Sequence, residues 1–131
     1  MIHAEDADML TESRKNLSFY VGSTINFEAA DRVLQEGDII EIGDIKVEVL
    51  HTPGHTRGGI CLKCSPDVVI TGDTLFAGSV GRSDFPGGSH KQLIASIKSK
   101  LMKFPPQTRV LPGHGPETTI QEEEIYNPFL R

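Results

Sequence analysis

Val68-Val69-Ile70-Thr71, followed at once by Gly72-Asp73, is the stretch that decides the fold. A short, continuous apolar run bounded by turn residues suits a strand buried on both faces. Glycine lacks a Cβ, so the backbone turns sharply there and presents the next side chain at the strand's end. The same design occurs on either side. Leu50 leads through Pro53-Gly54 to His55, and Val110-Leu111 leads through Pro112-Gly113 to His114. Strand ends are rigid platforms, and metal ligands need placing to within a few tenths of an ångström. Two neutral imidazoles and a carboxylate suit zinc, and also iron or manganese. One Pro-Gly-His alone is more often a turn beside an exposed histidine, and one Gly-Asp alone more often a helix cap. Three of them at three strand ends favour a metal site made of His55, Asp73 and His114.

Working outward, Ile39 to Ile42 and Ile45 to His51 flank Gly43-Asp44, a glycine-first link of hairpin type. Along the second of these strands Ile45, Val47, Val49 and His51 share one face. Ile60 to Cys64 is the next strand, ended by Ser65-Pro66-Asp67. A glycine-rich loop runs from Phe76 to Gly88 and holds Arg82, Ser83 and Asp84. Ser89-His90-Lys91-Gln92 has the form of a capping box, and Leu93, Ile94, Ile97 and Leu101 make the apolar stripe of the helix it starts. Pro105-Pro106 stops that helix. Thr119-Ile120-Gln121-Glu122 is a second box, before a short C-terminal helix. Upstream, the pattern predicts a helix from Ala4 to Arg14, an irregular polar stretch from Asn16 to Asn26, and a helical turn from Phe27 to Leu34.

Composition narrows the function classes. A net charge of -5 with 37% hydrophobic and 24% charged residues describes a globular chain. It gives no basic stripe that nucleic acid would reward. No apolar run approaches the roughly 18 residues that span a bilayer, and no secretory signal is legible, so the expected location is cytoplasmic. Cys61 and Cys64 lie three apart on one strand and therefore point to opposite faces. They read as two structural thiols in a reducing compartment, not as a metal or disulfide pair.

Taken in order, Thr52-Pro53-Gly54-His55-Thr56, Thr71-Gly72-Asp73-Thr74-Leu75-Phe76, Gly81-Arg82-Ser83-Asp84, Leu111-Pro112-Gly113-His114-Gly115 and Asn127-Pro128-Phe129 resemble the metallo-β-lactamase superfamily, and within it the glyoxalase II-like hydrolases. The resemblance covers nearly the whole chain. It implies an α/β (α+β) fold, half of an αββα sandwich, with a mixed β-sheet and flanking helices. It implies that His55 binds a first metal, His114 a second, and Asp73 bridges them, so that all three act through metal-bound water. Thr56 and Asp84 are candidates for positioning contacts, and Arg82 for a substrate or loop-stapling contact. The implied cofactor is zinc, two ions in the complete site, with iron or manganese as alternatives. The implied substrate is a thioester or related small ester, as for hydroxyacylglutathione hydrolase.

Complete members carry a His-x-His-x-Asp-His motif that supplies four further ligands, and it does not occur in these residues. Residues 1–131 are therefore expected to be the C-terminal half of such a domain, starting just after that motif. A half sandwich leaves a sheet face uncovered, so the chain is expected to self-associate, swap elements or pair with a missing N-terminal half. Two other readings stand beside the hydrolase: a mono-iron enzyme resembling persulfide dioxygenases, using His55 and Asp73, and a catalytically dead fragment. Among the remaining residues, His3 reads as structural, His51 as either core or supporting the site, and His90 as exposed. Glu122-Glu123-Glu124 reads as a solvated helix face.

Overall fold

A computed structural model describes residues 1–131, and its centre is one six-stranded sheet. Ten strands occur along the chain: β1 (Ile2–His3), β2 (Val33–Leu34), β3 (Ile39–Ile42), β4 (Ile45–His51), β5 (Ile60–Ser65), β6 (Val68–Gly72), β7 (Leu75–Phe76), β8 (Ser79–Val80), β9 (Arg109–Pro112) and β10 (Thr118–Thr119). The main sheet has the order β10-β9-β6-β5-β4-β3. Its pairs are antiparallel except β6 with β9, so the sheet is mixed. The hairpin predicted at Gly43-Asp44 is present, with Ile42 opposite Ile45 and Gly43 at a φ of 61°. Short ladders β1-β2 and β7-β8 stand apart from the sheet.

The helices α1 (Ala7–Thr11), α2 (His90–Ser96) and α3 (Ile120–Tyr126) flank the sheet. A wider turn, Ile97–Leu101, continues α2. One sheet face buries Leu50, Cys61, Val69 and Val110 against Leu93, Ile97, Leu101 and Ile120. The opposite face holds a smaller core of Leu34, Ile40, Val47 and Val49. Cys61 lies in the larger core and Cys64 against the smaller one, on opposite faces as the strand period requires.

Four local readings change. The helical turn expected over Phe27 to Leu34 is extended chain, because Val33 and Leu34 pair parallel with Ile2 and His3 and Leu34 enters the smaller core. The helix expected from Ala4 is a 3₁₀ turn (Ala4–Asp6) and α1, ending at Thr11. Beyond it the Ser13 amide donates to Asn26 Oδ1 at 2.9 Å, a partner that no helix offers. Each capping box forms only by half. Ser89 and Thr119 accept from the amides of Gln92 and Glu122, but Ser89 donates its own amide to the Gly54 carbonyl. Finally, the Glu122–Glu124 face is not uniformly solvated. Glu123 is 3% exposed and accepts from the Gly78 amide, the Thr118 hydroxyl and Asn127 Nδ2.

Candidate metal centre

Strand direction brings the three predicted residues to one edge. β4 is antiparallel to β5, β5 is antiparallel to β6, and β6 is parallel to β9, so β4, β6 and β9 point the same way. His55, Asp73 and His114 follow their C-terminal ends. β9 and β6 are neighbours, and the Gly113 amide extends their ladder by donating to the Gly72 carbonyl at 2.8 Å. His55 comes from two strands further across the sheet. Asp73 therefore lies between the two imidazoles, with one carboxylate oxygen toward each. His55 Nε2 is 3.6 Å from Asp73 Oδ2, and His114 Nδ1 is 2.9 Å from Asp73 Oδ1.

Two glycines permit this approach. A Cβ on Gly54, at a φ of 140°, would fall 2.3 Å from the Leu93 Cα, so only glycine lets the His55 loop lie against α2. A Cβ on Gly113 would meet Asp73 Oδ1 at 3.0 Å. The turn that projects Asp73 is held by buried hydroxyls. Thr71 donates to the Leu75 carbonyl at 2.8 Å, and the Thr74 amide donates to the Thr71 carbonyl at 2.9 Å. Thr52 and Thr74 hydroxyls pair at 3.3 Å, tying the end of β4 to the residue after Asp73. Cys61 Sγ contacts Thr52 at 3.3 Å, and burial pushes its thiol up to about 11, which keeps it protonated and inert.

His55 Nδ1 lies 2.7 Å from the Arg82 carbonyl. A carbonyl can only accept, so Nδ1 carries the proton and Nε2 keeps its lone pair toward Asp73. Two donors each about 2.1 Å from one ion at a tetrahedral angle stand roughly 3.4 Å apart. The His55–Asp73 spacing fits that. The side chains named as supporting candidates bond elsewhere. Thr56 donates to Asp6, and Asp84 takes both guanidinium donors of Arg82 at 2.8 Å. That hydrogen-bonded pairing pushes Asp84 down to about 2. Arg82 thus staples its loop through its side chain, stacks on Phe85 at 3.9 Å, and touches His55 only through its backbone. The buried threonines and the Arg82 carbonyl were missed because a backbone acceptor leaves no residue-type signal.

His3, Glu5 and His51 have ligand atoms all within 4.8 Å of one another, a mutual closeness that His55, Asp73 and His114 reach only in pairs through Asp73. The His3 and His51 imidazoles are stacked at 4.0 Å with 12° between their planes. The in-plane lone pairs of parallel rings cannot meet at one ion, and His51 Nε2 donates to the Arg57 carbonyl at 2.8 Å. This cluster is a packed joint between the N-terminal segment and β4. His90 lies exposed in the first turn of α2.

The profile of the Metallo-beta-lactamase superfamily matches residues 1–114. The chain belongs to the metallo-beta-lactamase superfamily. It is 44% identical to the hydroxyacylglutathione hydrolase GloC of Haemophilus influenzae, over 73% of this chain and 46% of that protein. Among solved members of the superfamily, the BLEG-1 B3 metallo-beta-lactamase superposes with a TM-score of 0.88 at 37% identity, over 98% of this chain and 63% of that one. TTHA1623, solved in a di-iron-bound form, gives a TM-score of 0.81 at 40% identity, over 98% and 63%. The chain spans less than two thirds of the length of the relatives it matches. The metallo-beta-lactamase fold is one that binds divalent metal, and the donor set at this sheet edge suits such an ion. No helix is long and apolar enough to cross a membrane.

Proposed function

We propose that this chain is the larger part of a metal-dependent hydrolase of thioesters, supplying His55, Asp73 and His114 as three of its metal ligands. The observation that carries the reading is the placement of Asp73 between two imidazoles, one carboxylate oxygen facing each, at the common end of three codirectional strands. A bound divalent cation would supply a water of lowered pKa and a charge that steadies an oxyanion. The chain's own residues do the rest. His55, fixed as the Nδ1–H tautomer by the Arg82 carbonyl, offers Nε2. Asp73 stays anchored by the Thr71–Leu75 turn. His114 is held from the side by the Phe76 ring, edge-on at 5.9 Å.

The relation to GloC supports a hydroxyacyl thioester of glutathione as the first substrate to test. The expected metal is zinc, and the di-iron form of TTHA1623 makes iron the alternative. The further ligands would come from a segment preceding this sequence, so the chain by itself is expected to be inactive. The same segment, or a second copy, would cover the open sheet face. Fused to the corresponding N-terminal segment of a relative, the chain should hydrolyse the thioester, and Asp73→Ala should remove at least 99% of that activity. Full activity in the Asp73→Ala fusion would refute the reading. Metal analysis of the fusion decides between zinc and iron, and sedimentation of the chain alone tests its self-association.

A further inference from the structure

The loop Ser13–Asn26 holds one 3₁₀ turn, Ser18–Val21, begun by Leu17, and is otherwise stapled by its own side chains. Asn26 Oδ1 accepts from the Ser13 amide, Asn16 Nδ2 donates to the Ile25 carbonyl at 2.9 Å, and the Ile25 amide donates to Ser18 Oγ at 3.1 Å. Within it Leu17 has a φ of 69°, the single non-glycine residue of the chain in the left-handed region. Such strain persists only where surroundings impose it, and it gathers at ligand sites. Leu17, Arg14 and Tyr20 line a cleft of about 230 Å³ whose other wall is Thr56, Arg57 and Gly87. That wall belongs to the candidate centre: Thr56 and Arg57 follow His55 directly, and Gly87 closes the loop whose Arg82 carbonyl holds the His55 ring.

The charges in this cleft are unevenly satisfied. Asp6 is taken by the Thr56 hydroxyl and the Gly58 amide, Glu5 faces His51, and Lys15 is paired with Asp8 and Glu12. Arg14 lies over the Phe19 ring at 5.0 Å without a carboxylate, and the Arg57 guanidinium makes no hydrogen bond. Every other arginine has a partner: Arg32 and Arg131 on backbone carbonyls, Arg82 and Arg109 on carboxylates. Two arginines whose guanidinium groups make no hydrogen bond, Arg14 and Arg57, therefore line one small cleft in a chain of net charge -5.

We propose that this cleft is an anion subsite that seats a carboxylate arm of the substrate while its scissile carbonyl lies at the metal edge. This rests on the hydrolase reading. A guanidinium fork matches a planar carboxylate with two parallel hydrogen bonds. The Tyr20 hydroxyl, 70% exposed as a residue, is a further donor on the same wall. The nearby carboxylates of Glu5 and Asp6 weigh against a phosphate dianion and favour a monoanionic group.

The test is an NMR titration of the full chain, freed of metal with a chelator, using succinate, with inorganic phosphate in a parallel arm. Succinate should shift the Arg14 and Arg57 Nε–H signals saturably. Arg57→Gln should weaken binding at least fivefold, Arg57→Lys should not restore it, and Arg14→Gln should weaken it independently. Arg109→Gln, which removes a guanidinium already paired with Glu117 outside the cleft, should leave it unchanged, and failure of the hydrolase reading would show in the fusion assay and not here. No saturable shift, succinate binding by the Arg57→Gln and Arg14→Gln chains as tight as by the unsubstituted chain, or phosphate binding as tight as succinate would overturn the proposal.

Discussion

The two faces of the central sheet are built to different degrees of completion. On one, Val69, Cys61 and Val110 are fully buried beneath α2, its continuation and α3. On the other, Val49, Leu62, Ile70 and Leu111 stand directly opposite one another across four strands. Val49 is fully buried, yet Ile70 at the middle of the sheet is 38% exposed. An apolar row in register is what a second layer packs on. The covered face is a finished core, and the open face has a small core with an exposed apolar residue at mid-sheet.

The largest expected effect tests that contrast. Ile97→Ala, on the covered face, should cost about 3 kcal/mol, the range for truncating a fully buried aliphatic side chain. Ile70→Ala, on the open face, should cost less than about 1 kcal/mol in the isolated chain. Urea denaturation of the two variants measures both. Equal losses would mean that the open face is covered in solution by another copy. In the fusion with an N-terminal segment, the cost of Ile70→Ala should rise toward that of Ile97→Ala.

A smaller loss is expected at Glu123, where sequence and structure part. Its carboxylate accepts from Gly78 through both oxygens, from Thr118 and from Asn127, and Asn127 also donates to the Ser79 carbonyl. Glu123→Gln replaces one acceptor by a donor facing these donors and should cost about 2 kcal/mol, read as a lower midpoint of thermal unfolding. The β7-β8 turn it clamps carries Phe76, which packs on His114, so the His114 ring should also broaden in NMR spectra.

Strand alternation, turn glycines and Ser89 made most of the sheet and α2 readable, because period and turn chemistry are local. That His55, Asp73 and His114 follow strand ends was legible for the same reason: each is one residue type behind one strand. What remained hidden depends on distant partners. Three consecutive glutamates look alike until the fold turns Glu123 inward and leaves Glu122 and Glu124 outside. Leu34 looks helical until β1 supplies a strand for it to pair with. Thr52 and Thr74 are 22 residues apart, and nothing local shows that their hydroxyls meet.

The smallest expected effect lies at the joint beside the lesser core, where His3 pairs in register with Leu34 and stacks on His51. Burial, and then the neighbouring His51, hold the His3 imidazole below its ordinary value of 6.5, while Glu5, Asp6 and Glu36 oppose them weakly. In the unfolded chain His3 takes up a proton at the ordinary value, and in the fold it does so only at lower pH. The unfolded state therefore binds more protons just below pH 6.5, and stability must fall as the pH falls through that window. The contribution is fully present above 6.5 and disappears once the pH drops below the lowered folded value. Urea midpoints at pH 7.5, 6.5 and 5.5 should decline, and His3→Gln should flatten that slope while leaving Ile97→Ala as costly as before. A decline of equal slope in the His3→Gln chain would assign the pH dependence to other groups and detach this joint from the stability of the lesser core.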